Sequence, residues 1–154
     1  MDPNDIDTLL PRDLVSLSEP PAEKEACIEH LLDMAVKAGR VRDRETALDA
    51  LLVREEETTT GVGMGIGIPH AQTDAVTQPT VAFVRSERGV DFDAMDDEPA
   101  TLIFMLLVPE GGDEEHLDML SSLSRALMHE ETRDSLHGGE SPEAVRESLK
   151  EAVA

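Results

Sequence analysis

His70 directly follows Pro69 at the end of the run Gly61-Val62-Gly63-Met64-Gly65-Ile66-Gly67-Ile68, and an imidazole so placed is suited to nucleophilic chemistry. The ring titrates near pH ~6.5, so a useful fraction is neutral at neutral pH, and one nitrogen can attack phosphorus if a hydrogen bond holds the other. Such a residue must be exposed, oriented and close to a cation that tolerates an incoming phosphoryl group. Taken alone, a histidine after a proline leaves a structural role open. Competing chemistries have less behind them. A GxGxxG loop fails because positions 66 and 68 are Ile, and no Gly-Lys-Ser/Thr follows. No GxSxG elbow offers a serine nucleophile. His116 follows Glu114 and Glu115, but adjacent helical residues diverge around the axis and there is neither HExxH nor a cysteine pair, so a solvated acidic helix start is expected and no metal or cofactor. His30, His129 and His137 lie in or beside charged helical stretches and read as ordinary surface or helix-end residues. Cys27 stands alone inside an apolar helical pattern, which predicts a buried inert thiol, no internal disulfide and a reducing compartment.

The elements around these residues follow from periodicity and punctuation. Residues 22–38 carry apolar side chains near helical spacing, with Gly39 as the stop. Asp43 can cap a second helix whose inward stripe is Ala47, Leu48, Leu51 and Leu52, so Arg54 emerges at or near its end. Thr58 to His70 alternates with period two, which predicts an extended segment whose glycine face is closely approached by other backbone; Pro69 ends it and puts His70 at its lip. Strands are expected at 14–17, 80–84 and 102–108, the last buried on both faces, with a short one possible at 89–92. Asp113 can cap a helix through Leu127 with Leu117, Leu120, Leu123, Ser124 and Leu127 inward. A short helix at 131–136 follows, then one capped by Ser141 with Pro142 at its first position and Val145, Leu149 and Val153 inward. The alternation predicts a layered α/β domain with a mixed sheet over 14–154, after a poorly ordered segment at 1–13.

Composition bounds the function classes. A chain of 154 residues, 40% apolar, with three Phe and no Trp or Tyr, suits one domain with an aliphatic core. Asp and Glu number 34 against 13 Lys and Arg, and a formal charge of −21 repels a nucleic-acid backbone. The cations are themselves skewed: Lys24, Lys37 and Lys150 are the only lysines, against ten arginines. A folded acidic surface poor in lysine points to a salt-adapted protein, because concentrated salt screens self-repulsion; the alternative is an ordinary acidic protein. Salt adaptation predicts unfolding on desalting, and a circular-dichroism melt unchanged between molar and millimolar KCl would defeat it. The longest apolar run, Leu102 to Val108, is far short of a membrane span and the N-terminus is acidic without a signal pattern, so a soluble, cytoplasmic protein with no membrane insertion is expected.

The run Gly65-Ile66-Gly67-Ile68-Pro69-His70, preceded by Arg54-Glu55 and then threonines, resembles the signature of the enzyme IIA domains of the mannitol and fructose class of the sugar phosphotransferase system. The resemblance extends over nearly the whole chain, through the strand at Leu102 to Val108 and the helix opening Glu115-His116-Leu117, and is weakest over Met1 to Asp13. It implies a mixed β-sheet flanked by helices on both sides, and a phosphoryl group carried on Nε2 of the histidine that maps to His70. It also implies an arginine near that group, mapping to Arg54, and a second histidine beside the active one, mapping to His116. The implied function is a phosphocarrier that accepts from phosphorylated HPr and passes the group to an enzyme IIB for sugar uptake, with fructose ahead of mannitol and no sugar bound directly. A nitrogen-type regulatory IIA protein, whose phosphorylation state controls a kinase, channel or transcription factor, is the alternative. Many family members carry Gly after the Pro-His pair, whereas Ala71, Gln72 and Thr73 follow here, so the partner surface differs. In concentrated salt the screening length falls to about 3 Å or less, and docking would then rest on apolar residues around His70, with Ile66, Ile68 and Val76 as candidates.

Overall fold

The computed structural model describes residues 3–153. Helices α1 (Pro3–Leu9), α2 (Lys24–Lys37) and α3 (Arg44–Glu57) precede most of the sheet. The strands are β1 (Val15–Ser16), β2 (Gly61–Gly63), β3 (Ile66–Gly67), β4 (His70–Gln72), β5 (Thr80–Val90) and β6 (Ala100–Val108), and α4 (Asp113–Leu127), α5 (Glu130–Gly138) and α6 (Pro142–Val153) close the chain. The spatial order is β1-β5-β6-β3-β2, with β4 also on β6. β5 and β6 are antiparallel, whereas β3 and β4 both run parallel to β6 along its other edge. The sheet is therefore mixed, as the alternation of elements predicts.

Burial explains the layering. β6 is buried over 102–108, the pattern of a strand covered on both faces. Ile6 and Leu10 from the α1 end, Met119 and Leu123 from α4, and Leu149 from α6 meet Val81, Phe104 and Leu106 on one face, while α2 packs on β5 and α3 on β4. α3 starts where expected: the Asp43 carboxylate accepts from the Thr46 N–H at 3.2 Å, filling one of the helix's unpaired donors. α2 stops at Gly39, which takes φ 77° and lets the Arg40 N–H reach the Ala35 carbonyl at 3.0 Å. Cys27 is fully buried, and burial pushes its thiol up to about 12, in keeping with an inert side chain.

Five expectations differ from the structure, one of them the Asp113 cap: Asp113 is the first residue of α4, behind Gly112, and no side chain among the described residues caps the helix. The segment at 1–13 contains α1, and Ile6, Leu9 and Leu10 are buried; its apolar positions are too few for a sequence pattern but enough to dock a short helix. Thr58 to His70 is not one extended piece: Met64 (φ 58°) and Gly65 (φ 77°) fold it into the β2–β3 hairpin, the positive-φ pair that matches strand twist in a two-residue loop. Of the short strand expected at 89–92, only Gly89 and Val90 are strand, as the end of β5, which continues through an irregularity between Arg85 and Val90. In α4 the buried stripe is Met119, Ser122, Leu123, Ala126 and Leu127; Leu123 and Leu127 are buried and Leu120 packs against the core as expected, whereas Leu117 and Ser124 are exposed. The glycine face is closely approached, but mainly by side chains: a Cβ on Gly61 would lie 2.8 Å from Phe92 Cβ and 3.2 Å from its carbonyl oxygen. Among the described residues no helix is long and apolar enough to cross a membrane.

Candidate functional site

His70 opens β4, in register with Leu106 of β6. Parallel partners point the same way, and Leu106 faces α4, so the imidazole is carried toward the helix that bears His116. The two rings meet with centroids 5.3 Å apart at an interplanar angle of 62°, edge to face. Arg54 reaches the same place from the last turn of α3, and its charge acts on both imidazoles. Three residues separated by up to 62 positions in sequence thus share one corner, supplied by a strand and the termini of two helices.

The link between β3 and β4 sets the ring's orientation. Both strands keep one register on β6, and the Pro69 carbonyl accepts from the Leu106 N–H at 3.0 Å as a parallel ladder requires. The polar groups of Ile68 therefore face away from β6, and its carbonyl lies 2.7 Å from His70 Nδ1. A carbonyl only accepts, so Nδ1 carries the proton and Nε2 keeps its lone pair. Burial holds the His70 pKa below its ordinary value, and the charges of Arg54 and His116 push the same way, against the Ile68 hydrogen bond and the Glu55 charge. His116 is lowered by burial first and then by Arg54, against Asp113. Its Nδ1 is buried without a hydrogen-bond partner among the described residues, so this ring retains unused polar capacity beside His70.

The shifts give a pH dependence with a definite sign. Both folded-state values lie below ~6.5, the unfolded reference, so the unfolded chain binds more protons on acidification. Stability from the neutral rings is fully present above about pH 6.5 and is lost as pH falls through the folded values. Phosphoryl acceptance should fade over the same range, because protonated Nε2 has no lone pair. Imidazole titration by NMR checks this, and a His70 midpoint at or above the ordinary histidine value would contradict it.

Arg54 donates through Nη1 to the Thr58 carbonyl at 3.0 Å and is in no ion pair among the described residues, leaving most of its guanidinium donors uncommitted. The acidic neighbour turns elsewhere: Glu55 is 8% exposed and bonds Lys24 and Thr60. Sequence reasoning gave Glu55 no role beyond its place after Arg54 in the signature, and passed over the Ile68 carbonyl, for which Pro69 is a usable signal. The docking candidates Ile66, Ile68 and Val76 are all buried in the core and cannot ring the site. An exposed apolar side chain stands instead at Leu117, next to His116. The Ile68 N–H is given to the Thr60 carbonyl at 3.0 Å. His137 lies away from this corner, 2.8 Å from the Thr101 hydroxyl.

The chain is similar to known proteins of one family. The family described as phosphoenolpyruvate-dependent sugar phosphotransferase system, EIIA 2, matches residues 8–152. The chain is 63% identical over 153 residues to the PTS system fructose-specific EIIA component of Haloferax volcanii, covering 99% of each. Among solved structures, the nitrogen regulatory protein IIA-Ntr of Neisseria meningitidis superposes with a TM-score of 0.83 at 35% identity, covering 94% of this chain and 98% of that one. Enzyme IIA of the mannitol system of Escherichia coli, solved in complex with its phosphorylated enzyme IIB, gives 0.79 at 29% identity, covering 91% and 96%.

Proposed function

The chain belongs to the EIIA 2 family of the phosphoenolpyruvate-dependent sugar phosphotransferase system, and on that premise we propose that His70 is its phosphoryl acceptor, served by Arg54 and His116. The observation that carries this reading is the 2.7 Å contact of Nδ1 with the Ile68 carbonyl. In the transfer, the Nε2 lone pair forms a bond to the phosphorus of a donor phosphohistidine. The donor's N–P bond breaks in line, and its electron pair returns to the donor imidazole. No oxidant, metal or further reactant enters, and positioning and charge stabilisation are all the protein must supply. As Nε2 bonds to phosphorus the His70 ring becomes cationic, and its Nδ1–H bond to Ile68 strengthens. Arg54 offers a planar fork to two of the phosphoryl oxygens, and the His116 ring stands ready to donate to a third.

The donor in this reading is HPr and the acceptor an enzyme IIB, the latter supported by the IIA–IIB complex of the mannitol relative. Fructose is the sugar supported by the name of the Haloferax relative, and no sugar touches the domain. That relative's source also supports salt adaptation, and the site works in the cytoplasm. The regulatory alternative has support from nitrogen regulatory relatives, including one from Pseudomonas aeruginosa at 34% identity; the greater identity to the fructose component favours transport. Incubation with phosphorylated HPr, followed by intact mass and peptide mapping, tests the assignment: one phosphoryl group on the peptide holding His70 is expected, and an unmodified chain would remove it.

A further inference from the structure

Glu55 sits in the last turn of α3, next to Arg54, yet its side chain goes the opposite way, into the protein. One carboxylate oxygen accepts the Thr60 N–H at 2.9 Å, the other accepts the Thr60 hydroxyl, and Lys24 approaches at 3.3 Å while also pairing with Asp93 at 3.1 Å. Thr60 is itself buried and passes the constraint on: its carbonyl accepts the Ile68 N–H at 3.0 Å, and the Ile68 carbonyl accepts from His70 Nδ1 at 2.7 Å. Arg54 bonds the Thr58 carbonyl, so two successive residues at one helix end hold two points of the segment 58–60.

We propose that Glu55 is a positioning residue for phosphoryl transfer, its buried carboxylate fixing Thr60 and, through Thr60 and Ile68, the orientation and tautomer of the His70 ring. A buried carboxylate with no other duty than closing a helix could be replaced by an apolar contact. Here it accepts two bonds from the residue that supports Ile68, and the compensating cation comes from a separate helix, so its position is fixed from both sides. Its charge also acts on His70 in the sense opposite to that of Arg54. The inference rests on His70 being the acceptor.

The test uses the full chain and phosphoramidate, a small P–N donor that needs no docking surface. Glu55→Gln keeps the shape but converts one accepting oxygen into an amide nitrogen that cannot accept from Thr60. In the folded variant, nitrogen-15 NMR of His70 should show a gain of the Nε2–H tautomer, and phosphorylation should slow by about tenfold or more, the scale of a misoriented nucleophile. An unchanged tautomer with a rate within about twofold of the parent would overturn the proposal. Should Glu55→Gln fail to fold, Thr60→Val, which loses the hydroxyl bond alone, should slow labelling and Thr60→Ser should restore it; equal rates in all three proteins would overturn it as well. A parent chain that takes no label at His70 removes the phosphocarrier reading itself, whereas a labelled parent with an equally fast variant removes only the role of Glu55.

Discussion

His70→Ala is expected to abolish labelling by a phosphorylated donor, a loss bounded only by detection. Neither Cys27 nor His116 stands in reserve as a second nucleophile. Cys27 is buried and its thiol is pushed up to about 12, so it offers neither access nor thiolate. His116 lies within 5.3 Å, centroid to centroid, but no carbonyl holds its Nδ1, and its ring lacks the orientation that the Ile68 contact gives His70. The fold should survive: the ring is half-buried at a strand end, and removing it leaves one carbonyl without its partner, a cost of about 1 kcal/mol, up to about 3 if water does not reach it. Phosphoryl uptake by the folded variant at the parent's rate would end the assignment.

Arg54→Ala should slow transfer by about 10²–10³, the range for losing one preorganised donor to a developing oxyanion. Its interaction with Thr58 is an exposed one at a helix end, so the domain should remain folded. Arg54→Lys should rescue poorly, because an ammonium cannot present the planar fork. A second readout separates charge from packing. Arg54 pushes both imidazoles down, so Arg54→Ala should raise the midpoints of His70 and His116 and move the acidic limb of the rate profile upward in pH. An unaltered rate with unmoved midpoints would clear Arg54 of any part.

How much of this was legible in the sequence depends on which interaction set each element. The Asp43 cap, the Gly39 stop and the doubly buried β6 were readable because capping and period are local. The hairpin at Met64–Gly65 was not, since alternating glycines satisfy an extended pattern and a tight turn equally, and a positive φ at methionine has no sequence mark. His70 and Arg54 could be singled out by neighbours, and their convergence with His116 came only by family resemblance; the contact between the rings is tertiary, made by a strand and a helix 46 positions apart in the numbering. Leu117 faces outward and Ile68 inward for a reason no window reveals: the phase of each element was decided by what covers it.

β3 and β4 both key to one edge of β6, Gly67 opposite Ile103 and His70 opposite Leu106, so the Ile68–Pro69 link has no slack. Adding or deleting a single residue there would invert the frame: Ala71 would swing out to the reactive corner and the imidazole would be driven into the interior. Such an indel could leave a competent fold that is chemically mute, which makes this two-residue splice, rather than any surface loop, the place where length itself is under constraint.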